Sequence, residues 1–435
     1  MLRPLKIAYV YQSISTNFAE PFAVQLHIYH QIHGLQQAGH HVNLLALQGR
    51  QVLCTRNLQV FQHNQLSESD FGKLGLSGTK FFKVIESVIR RVQKELKIPY
   101  LAIIDSFRTY DACCQTLQGH DLIHERYNLL AFGGAWASQR LGIPYVLEVN
   151  ADLMEERQAQ GNRERGLRRL FGVLTTRFCF DRAQHIICVS AQLKDHLVQK
   201  WKVDAGKIVV LPNAADTEAF GRRYDVKSVR CQLGLKDEPV VMFVGGFYLW
   251  HDLGLLVKSF THVLRKVPDA KLVLVGDGRT RSMVEEVVVD NGLQYAVVMA
   301  GAVEHRDVPE MLAIASVAVA PNIPFFDGHG GSPLKIYEYM AAGKAIVATS
   351  TGQVAEVIQD GHNGVLVEAG DKDGLAEAII HLLNDPLERD RLGQRARQRA
   401  VEQHSWDQYV KCLEEIYLSV LSRDAPGYES AGGSL

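Results

Sequence analysis

No stretch of this chain approaches the ~20 consecutive apolar residues that a bilayer-spanning helix needs. The longest apolar runs, such as AIASVAVA at 313–320, are core-segment length. The opening MLRPLKIAYVYQSI holds a short apolar run and no small-residue cleavage site, which argues against a secretory signal peptide. A cytoplasmic protein is expected, peripheral on the inner membrane face at most. Excess charge is also missing: the formal net charge is −1, which argues against a nucleic-acid binder that works by bulk electrostatics. The seven cysteines are odd in number and scattered, with Cys113 and Cys114 adjacent, so they do not read as a disulfide framework. A reducing compartment is the simpler setting. No His/Cys cluster has zinc spacing, and no metal site is expected. VGDG at 275–278 lacks the full G-x-G-x-x-G, so a nicotinamide fingerprint is not expected either.

What is present describes a globular protein, with 47% apolar and 22% charged residues. At 435 residues the chain can bury two cores of ordinary size. KIAYVY (6–11) reads as a strand, Gln25 to Gly39 as a helix closed by glycine, and HVNLLAL (41–47) as the next strand. DLIHERY, a helix to Leu141, GIPYVLEVN, and HIICVS before AQLKDHLVQKW continue the alternation. A second series follows, with PVVMFVGGF, AKLVLVGDG, YAVVMAGAV, ASVAVAPN and KAIVAT as buried strands. Continuous apolar strands alternating with helices predict parallel sheets covered on both faces. The fold class is therefore α/β, with two doubly wound, Rossmann-like domains facing a cleft. The expected boundaries are 1–215 for a first domain, 216–238 for a polar linker and 239–400 for a second domain. A C-terminal helix at 401–422 returns to the first domain, and 423–435 reads as a disordered tail. Ligands in such sheets sit beyond the carboxyl ends of the strands.

The most informative stretch is GHGGSPLKIYEYMAAGKAIVAT (328–349). A glycine cluster follows a buried strand, Ser332 suits an N-cap, Pro333 the first helical position, and Gly343 the stop. The orphan amides and positive dipole end of such a helix make an anion site. Lys335 stands in the first turn, where the dipole disfavours a cation and a bound anion would compensate. Glu338, one turn on, can accept hydrogen bonds from a diol. A capped surface helix with an i,i+3 ion pair is the plainer alternative. Gly245-Gly246, after a buried strand, makes either a tight turn or a close backbone approach to phosphate.

The run SPLKIYEYMAAGKAIVAT resembles the signature helix of the family-4 retaining glycosyltransferases of the GT-B fold. VSAQLKDHLVQKW, KIVVLPNAADTEAF, PVVMFVGGF, AKLVLVGDGRTRSMVEEV and GQVAEVIQDGHNGVLVEAGDKDGLAEAI are similar to that family in the expected order. The likeness spans about residues 5 to 420 and is stronger in the second half. It implies transfer of a sugar from a nucleotide-diphosphate sugar, serving polysaccharide or glycoconjugate biosynthesis, with no cofactor beyond the donor substrate. Gly330 stands where the family usually has a glutamate. The usual Arg and Lys after the strand at 240–245 give way to GGFYLWHDLG, whose Trp250-His251 resembles a subset of the family. A first-domain glycine pair is replaced by AEPFAVQLH (19–27), and a common histidine by Asn150. The resemblance puts Gly245, Gly246, Trp250, Val303, Gly331, Ser332, Pro333, Leu334 and Glu338 around the donor. Asn150, His251 and Lys335 are the expected catalytic groups.

Glu125 and Arg126 in HERY, and Asp152 after the next strand end, are expected on the acceptor side; Glu155 and Glu156 follow. Capping is the alternative for some of these. DKD at 371–373 mimics the metal-binding DxD of another glycosyltransferase fold but reads better as helix capping. KFFKVIESVIRRVQKELK (80–97) and RERGLRRLFGVLTTRFCFDR (163–182) are basic and amphipathic. They are either solvated outer faces or peripheral contacts with an anionic membrane carrying a lipid-linked acceptor. A glycan, a lipid-linked sugar or a small molecule all remain open as acceptor. With no convincing carboxylate nucleophile, front-side attack is expected, with the two domains closing on the donor. The competing readings are an epimerase or phosphorylase on the same fold, and a catalytically silent nucleotide-sugar binder.

Overall fold

The computed structural model describes residues 3–13, 23–58, 74–95, 103–159, 164–324 and 332–423. The glycine cluster 328–331, residues 19–22 ahead of the first helix, residues 96–97 and 163 of the basic stretches, and 424–435 of the expected tail lie outside them. Two compact units divide the chain, one of Met1–Leu211 with Val410–Leu435, the other of Pro212–Tyr409.

The first unit is built on strands β1 Lys6–Tyr11, β2 His41–Gln48, β3 Gln51–Thr55, β4 Leu122–Arg126, β5 Tyr145–Val149, β6 His185–Cys188 and β7 Ile208–Val210. They lie in the order β3-β2-β1-β4-β5-β6-β7. Every pairing is parallel except β2 with β3, an antiparallel edge joined by the short turn at Gly49-Arg50. Its helices are α1 Ala23–Gln37, α2 Lys80–Glu95, α3 Ile103–Thr116, α4 Gly133–Leu141, α5 Leu153–Ala159, α6 Gly166–Arg182 and α7 Ala191–Trp201. β1 beyond Lys6 is apolar without alternation, and β5 is buried along its whole length, because both faces of the sheet are covered.

The second unit opens with α8 Val226–Gln232 and continues through β8 Val240–Val244, α9 Leu253–Lys266, β9 Lys271–Val275, α10 Arg281–Asp290, β10 Val297–Gly301, α11 Val308–Ala313 and β11 Val317–Ala320. Then come α12 Leu334–Ala341, β12 Ala345–Thr349, α13 Val354–Val357, β13 Val365–Val367, α14 Lys372–Asn384 and α15 Pro386–Gln403. Its sheet is wholly parallel, in the order β10-β9-β8-β11-β12-β13. The stretch 216–238, expected as a linker, contributes Phe220, Val229 and Leu235 to this unit's core and folds in part as α8. The last helix, α16 Trp406–Arg423, contains the division between the units, and its residues from Val410 belong to the first. There Val410 packs on Gly34 of α1, and His40 meets Glu414 at 3.0 Å.

Candidate active site

In the second unit the site is built from the loops that follow β8, β9 and β10 and from the start of α12. Gly245 has φ +145°, and its amide donates to the Val275 carbonyl at 2.9 Å. Gly276, φ +136°, lies so close that a Cβ there would run into the Gly245 carbonyl. Two glycine turns therefore stack without intervening side chains, a close approach that only glycine permits. They support the short 3₁₀ turn Leu249–His251, and Asp252 then caps α9 by accepting from the Leu255 amide at 3.2 Å.

His251 is buried. Its Nδ1 donates to the Gly246 carbonyl at 2.6 Å, since a carbonyl only accepts, which leaves Nε2 as the acceptor for Lys335 Nζ at 3.0 Å. Burial first, and then the Lys335 charge, push the His251 pKa down to about 3. Burial likewise lowers Lys335 to about 7, with Glu338 pulling the other way. Lys335 Nζ also stands 4.1 Å from the centroid of the Phe243 ring. A Cβ on Gly245 would come within 2.9 Å of that nitrogen, so the glycine makes room for the lysine. The lysine and histidine expected together from the sequence are thus in contact.

Glu338 is also buried, and its Oε1 accepts from His305 Nε2 at 2.7 Å. Burial works against a charged His305, but the Glu338 hydrogen bond and charge, with Asp216, outweigh it and raise its pKa. His305 was not among the expected residues. Its signal was position alone, a histidine in the loop after β10, two residues beyond Val303. Val303 packs partly buried against the core. Trp250 stacks on Tyr248 with ring centroids 4.6 Å apart and a 13° tilt, and its carbonyl accepts from the Ile323 amide at 3.0 Å.

The helix start needs one correction. α12 begins at Leu334 with Pro333 in the capping position and no side-chain cap. The Ser332 hydroxyl instead reaches Tyr337 Oη at 3.2 Å, while its carbonyl accepts from Asn213 Nδ2 at 3.0 Å. A pyrrolidine ring at 333 sets φ for the helix but its ψ of 106° keeps it outside. Gly331 and Gly330 lie outside the described residues. Asp371 caps α14 by accepting from Gly374 at 2.9 Å, so DKD is a cap.

The first unit holds a separate polar cluster at the carboxyl ends of β1, β4 and β5. Alternation along β4 sends His124 and Arg126 to one face and Glu125 to the other. Glu125 is fully buried, accepting from Tyr145 Oη at 2.7 Å and the Ala135 amide at 3.1 Å at the start of α4. Burial raises it to about 7, against those hydrogen bonds. Its carboxylate serves the helix start from inside the unit.

On the opposite face Glu148, which sequence reading passed over as strand interior, is the hub. Its carboxylate accepts from Arg126 at 2.5 Å, Asn150 Nδ2 at 2.5 Å, Gln31 at 2.9 Å and Tyr9 Oη at 3.2 Å, with His124 Nε2 at 3.3 Å. Burial pushes its pKa up, but Arg126, His27 and His124 together hold it well below the usual carboxylate range. Asn150 is held by its amide nitrogen, and its buried Oδ1 has no hydrogen-bond partner among the described residues. Arg126, half-buried, also donates to His27 Nδ1 at 3.0 Å.

Asp152 turns elsewhere. It accepts from the Met154 amide at 3.0 Å at the start of α5 and from His196, Lys200 and Trp201 of α7 at 2.9, 2.8 and 2.8 Å. These donors hold its carboxyl far below its usual range despite burial. Asp152 ties α5 to α7. Glu155 shares Lys200 at 2.6 Å, and burial raises Glu156. Asp152, Glu155 and His196 have ligand atoms within 4.8 Å of one another. The Lys200 ammonium already supplies the positive charge there.

Comparison with known proteins fits this geometry. The family model Glycosyl transferases group 1 matches residues 226–399, and Glycosyltransferase Family 4 matches residues 24–219. N-acetyl-alpha-D-glucosaminyl L-malate synthase of Bacillus anthracis is 29% identical over 254 residues, 58% of this chain and 64% of that protein. Alpha-maltose-1-phosphate synthase of Mycolicibacterium smegmatis is 27% identical over 317 residues, 69% of this chain and 79% of that protein. Among solved structures, Anabaena HepE in complex with UDP superposes with a TM-score of 0.68 at 18% identity, covering 95% of this chain and 100% of that one. Two wholly or largely parallel α/β units, two family models that between them take in most of the chain, and the curated relatives agree: the chain belongs to the retaining group 1/family 4 glycosyltransferases, nucleotide-sugar-dependent enzymes of the GT-B fold.

Proposed function

We propose that the second unit holds the diphosphate of a nucleotide-diphosphate sugar against the start of α12, Lys335 and His251, and that transfer proceeds by front-side attack. The contact of buried Lys335 with His251 Nε2 carries this reading. A lysine kept near neutrality by burial gains its full charge when a diphosphate arrives, and it then neutralises the leaving group as the glycosidic bond breaks. His251, fixed as the Nδ1–H tautomer by Gly246, accepts from that ammonium and aims it. Gly245 and Gly246 let the backbone approach the phosphates, and Ser332, Pro333 and Leu334 carry the first amides of the helix. Glu338, steadied by His305, takes the ribose hydroxyls, while Trp250 and Val303 flank the nucleoside. The Trp250-His251 loop supports placement in the subset of the family that the sequence resembles.

The acceptor hydroxyl passes its proton to the departing diphosphate oxygen, so no protein base is needed. Asn150 suits this role: an amide orients a sugar hydroxyl and does not titrate at neutral pH. Arg126 stands beside it through the shared Glu148. The acceptor is a glycan, a lipid-linked sugar or a small molecule.

The test is incubation with a panel of radiolabelled sugar nucleotides, with and without excess chelator. Transfer or slow hydrolysis of one donor, unaffected by chelator, is expected. Interconversion of the sugar without transfer would favour an epimerase, binding alone a silent homologue. A complete, magnesium-reversible loss would move the diphosphate charge from Lys335 to a metal.

A further inference from the structure

Helix α2 is mounted with its polar side inward. Glu86 is 1% exposed and forms ion pairs with Arg108 of α3, with Arg90 at 2.6 Å and with Arg50 at 3.7 Å. Asp105 of α3 adds a pair to Arg108 at 3.3 Å. The opposite face, Phe81, Val84, Ile85, Val88, Ile89 and Val92, is left to solvent, with Phe81 at 73%, Val84 at 62% and Val88 at 57%. At helical spacing these six form one stripe, about 24 Å long over the sixteen residues. An ordinary surface helix of a globular protein turns such a stripe to the core.

A second stripe continues the pattern. α3 presents Phe107, which packs edge-on against Trp136 of α4 at 5.2 Å, and α4 lies against α6, where Arg182 donates to Ser138 at 3.1 Å. α6 exposes Leu167, Leu170 and Leu174, again one face at i, i+3 and i+7. Right-handed crossovers between parallel strands put α3, α4 and α6 on the same side of the first unit's sheet. Both stripes run beside exposed cations: Lys80, Lys83 and Arg91 on α2, and Arg165, Arg169 and Arg177 around α6. Of the two acidic residues in α2, Glu86 is buried and Glu95 ends the helix.

We propose that α2 and α6 dock this unit onto an anionic lipid bilayer, the apolar stripes entering the boundary between headgroups and acyl chains while the lysines and arginines meet lipid phosphates. Apolar side chains bordered by snorkelling cations fit that interface. A protein partner or a second copy would match the apolar stripes but gives no reason for cations bordering both. The surface goes beyond the transferase reading and does not depend on it.

The experiment is flotation of the full chain with phosphatidylglycerol-rich vesicles and with pure phosphatidylcholine vesicles. Binding to the anionic vesicles is expected to exceed that to phosphatidylcholine by about tenfold and to fall with salt. Val88→Glu with Leu170→Glu should lower it about tenfold, leaving circular dichroism and transfer to a water-soluble acceptor unchanged. Lys83→Glu with Arg169→Glu should act only on the anionic vesicles. No flotation, flotation indifferent to all four substitutions, or a dimer in solution that Val88→Glu dissolves in place of vesicle binding would each overturn the proposal. A chain that floats yet transfers no sugar would fail as a transferase and keep this surface.

Discussion

Lys335 shows how much one side chain's setting determines. Burial has brought its pKa to about 7, so near neutrality the empty site holds amine and ammonium together. A bound diphosphate demands the ammonium and raises that pKa, so binding takes up a proton whenever the empty site is neutral. Affinity for a free nucleoside diphosphate is therefore expected to fall about tenfold per pH unit above neutrality. Calorimetric titration in buffers of different ionisation enthalpy reads the proton directly, and Lys335→Met should remove both the uptake and the slope. Affinity that stays flat across that range in the native chain would take Lys335 out of the diphosphate contact. The sequence made this residue legible, because a lysine in the first turn of a helix runs against the dipole. The pairing of His305 with Glu338 was not, since the two lie 33 positions apart and only the fold joins them. Glu148 was hidden for another reason: in LEVN it looks like one polar residue in a strand, and nothing local shows five side chains converging on it.

Among elements, the strands were the most readable. Runs such as VVMFV and AIVAT, buried on both faces, can be little else in a chain that alternates them with helices. β3 escaped because QVLCT is short and sits at an antiparallel edge, outside the β–α rhythm. The HERY strand end misled through alternation: adjacent charges look like one site, but the pleat sends Glu125 to the α4 side and Arg126 to the other. Glycine turns offer an element-scale prediction. Gly276→Ala meets both a positive φ and the Gly245 carbonyl, so it should cost about 2 kcal/mol and weaken nucleoside diphosphate binding by displacing the β8 turn. Gly292→Ala, at φ 65° with open space around it, should cost about 1 kcal/mol and leave binding alone. Urea unfolding and calorimetric affinities separate them; equal effects of the two on affinity would mean the stacked turns do not shape the site.

At the scale of the molecule, the first unit is completed by chain from the far end of the sequence. Tyr417 of α16 is fully buried, with its hydroxyl 2.6 Å from His124 Nδ1, and His124 passes the contact on to Glu148. The hub that holds Arg126 and Asn150 is thereby braced by a residue 293 positions from His124. The second unit has its own two hydrophobic clusters, one on each side of its sheet, and Tyr417 belongs to neither. Tyr417→Ala should therefore cost about 3–5 kcal/mol, as truncation of a buried aromatic does. The loss should be local: amide exchange should quicken in β1, β4 and β5 and stay slow in β8, β11 and β12. Turnover should fall with the disordered Asn150, while affinity for a free nucleoside diphosphate stays within about twofold, because Lys335, His251 and Glu338 draw on the other core. Tyr417→Phe, which keeps the ring and drops the hydroxyl, should cost only about 1 kcal/mol. Exchange that quickens equally in both sheets after Tyr417→Ala would mean the chain unfolds as a single cooperative body, and the separate bracing of the two units would have to be given up.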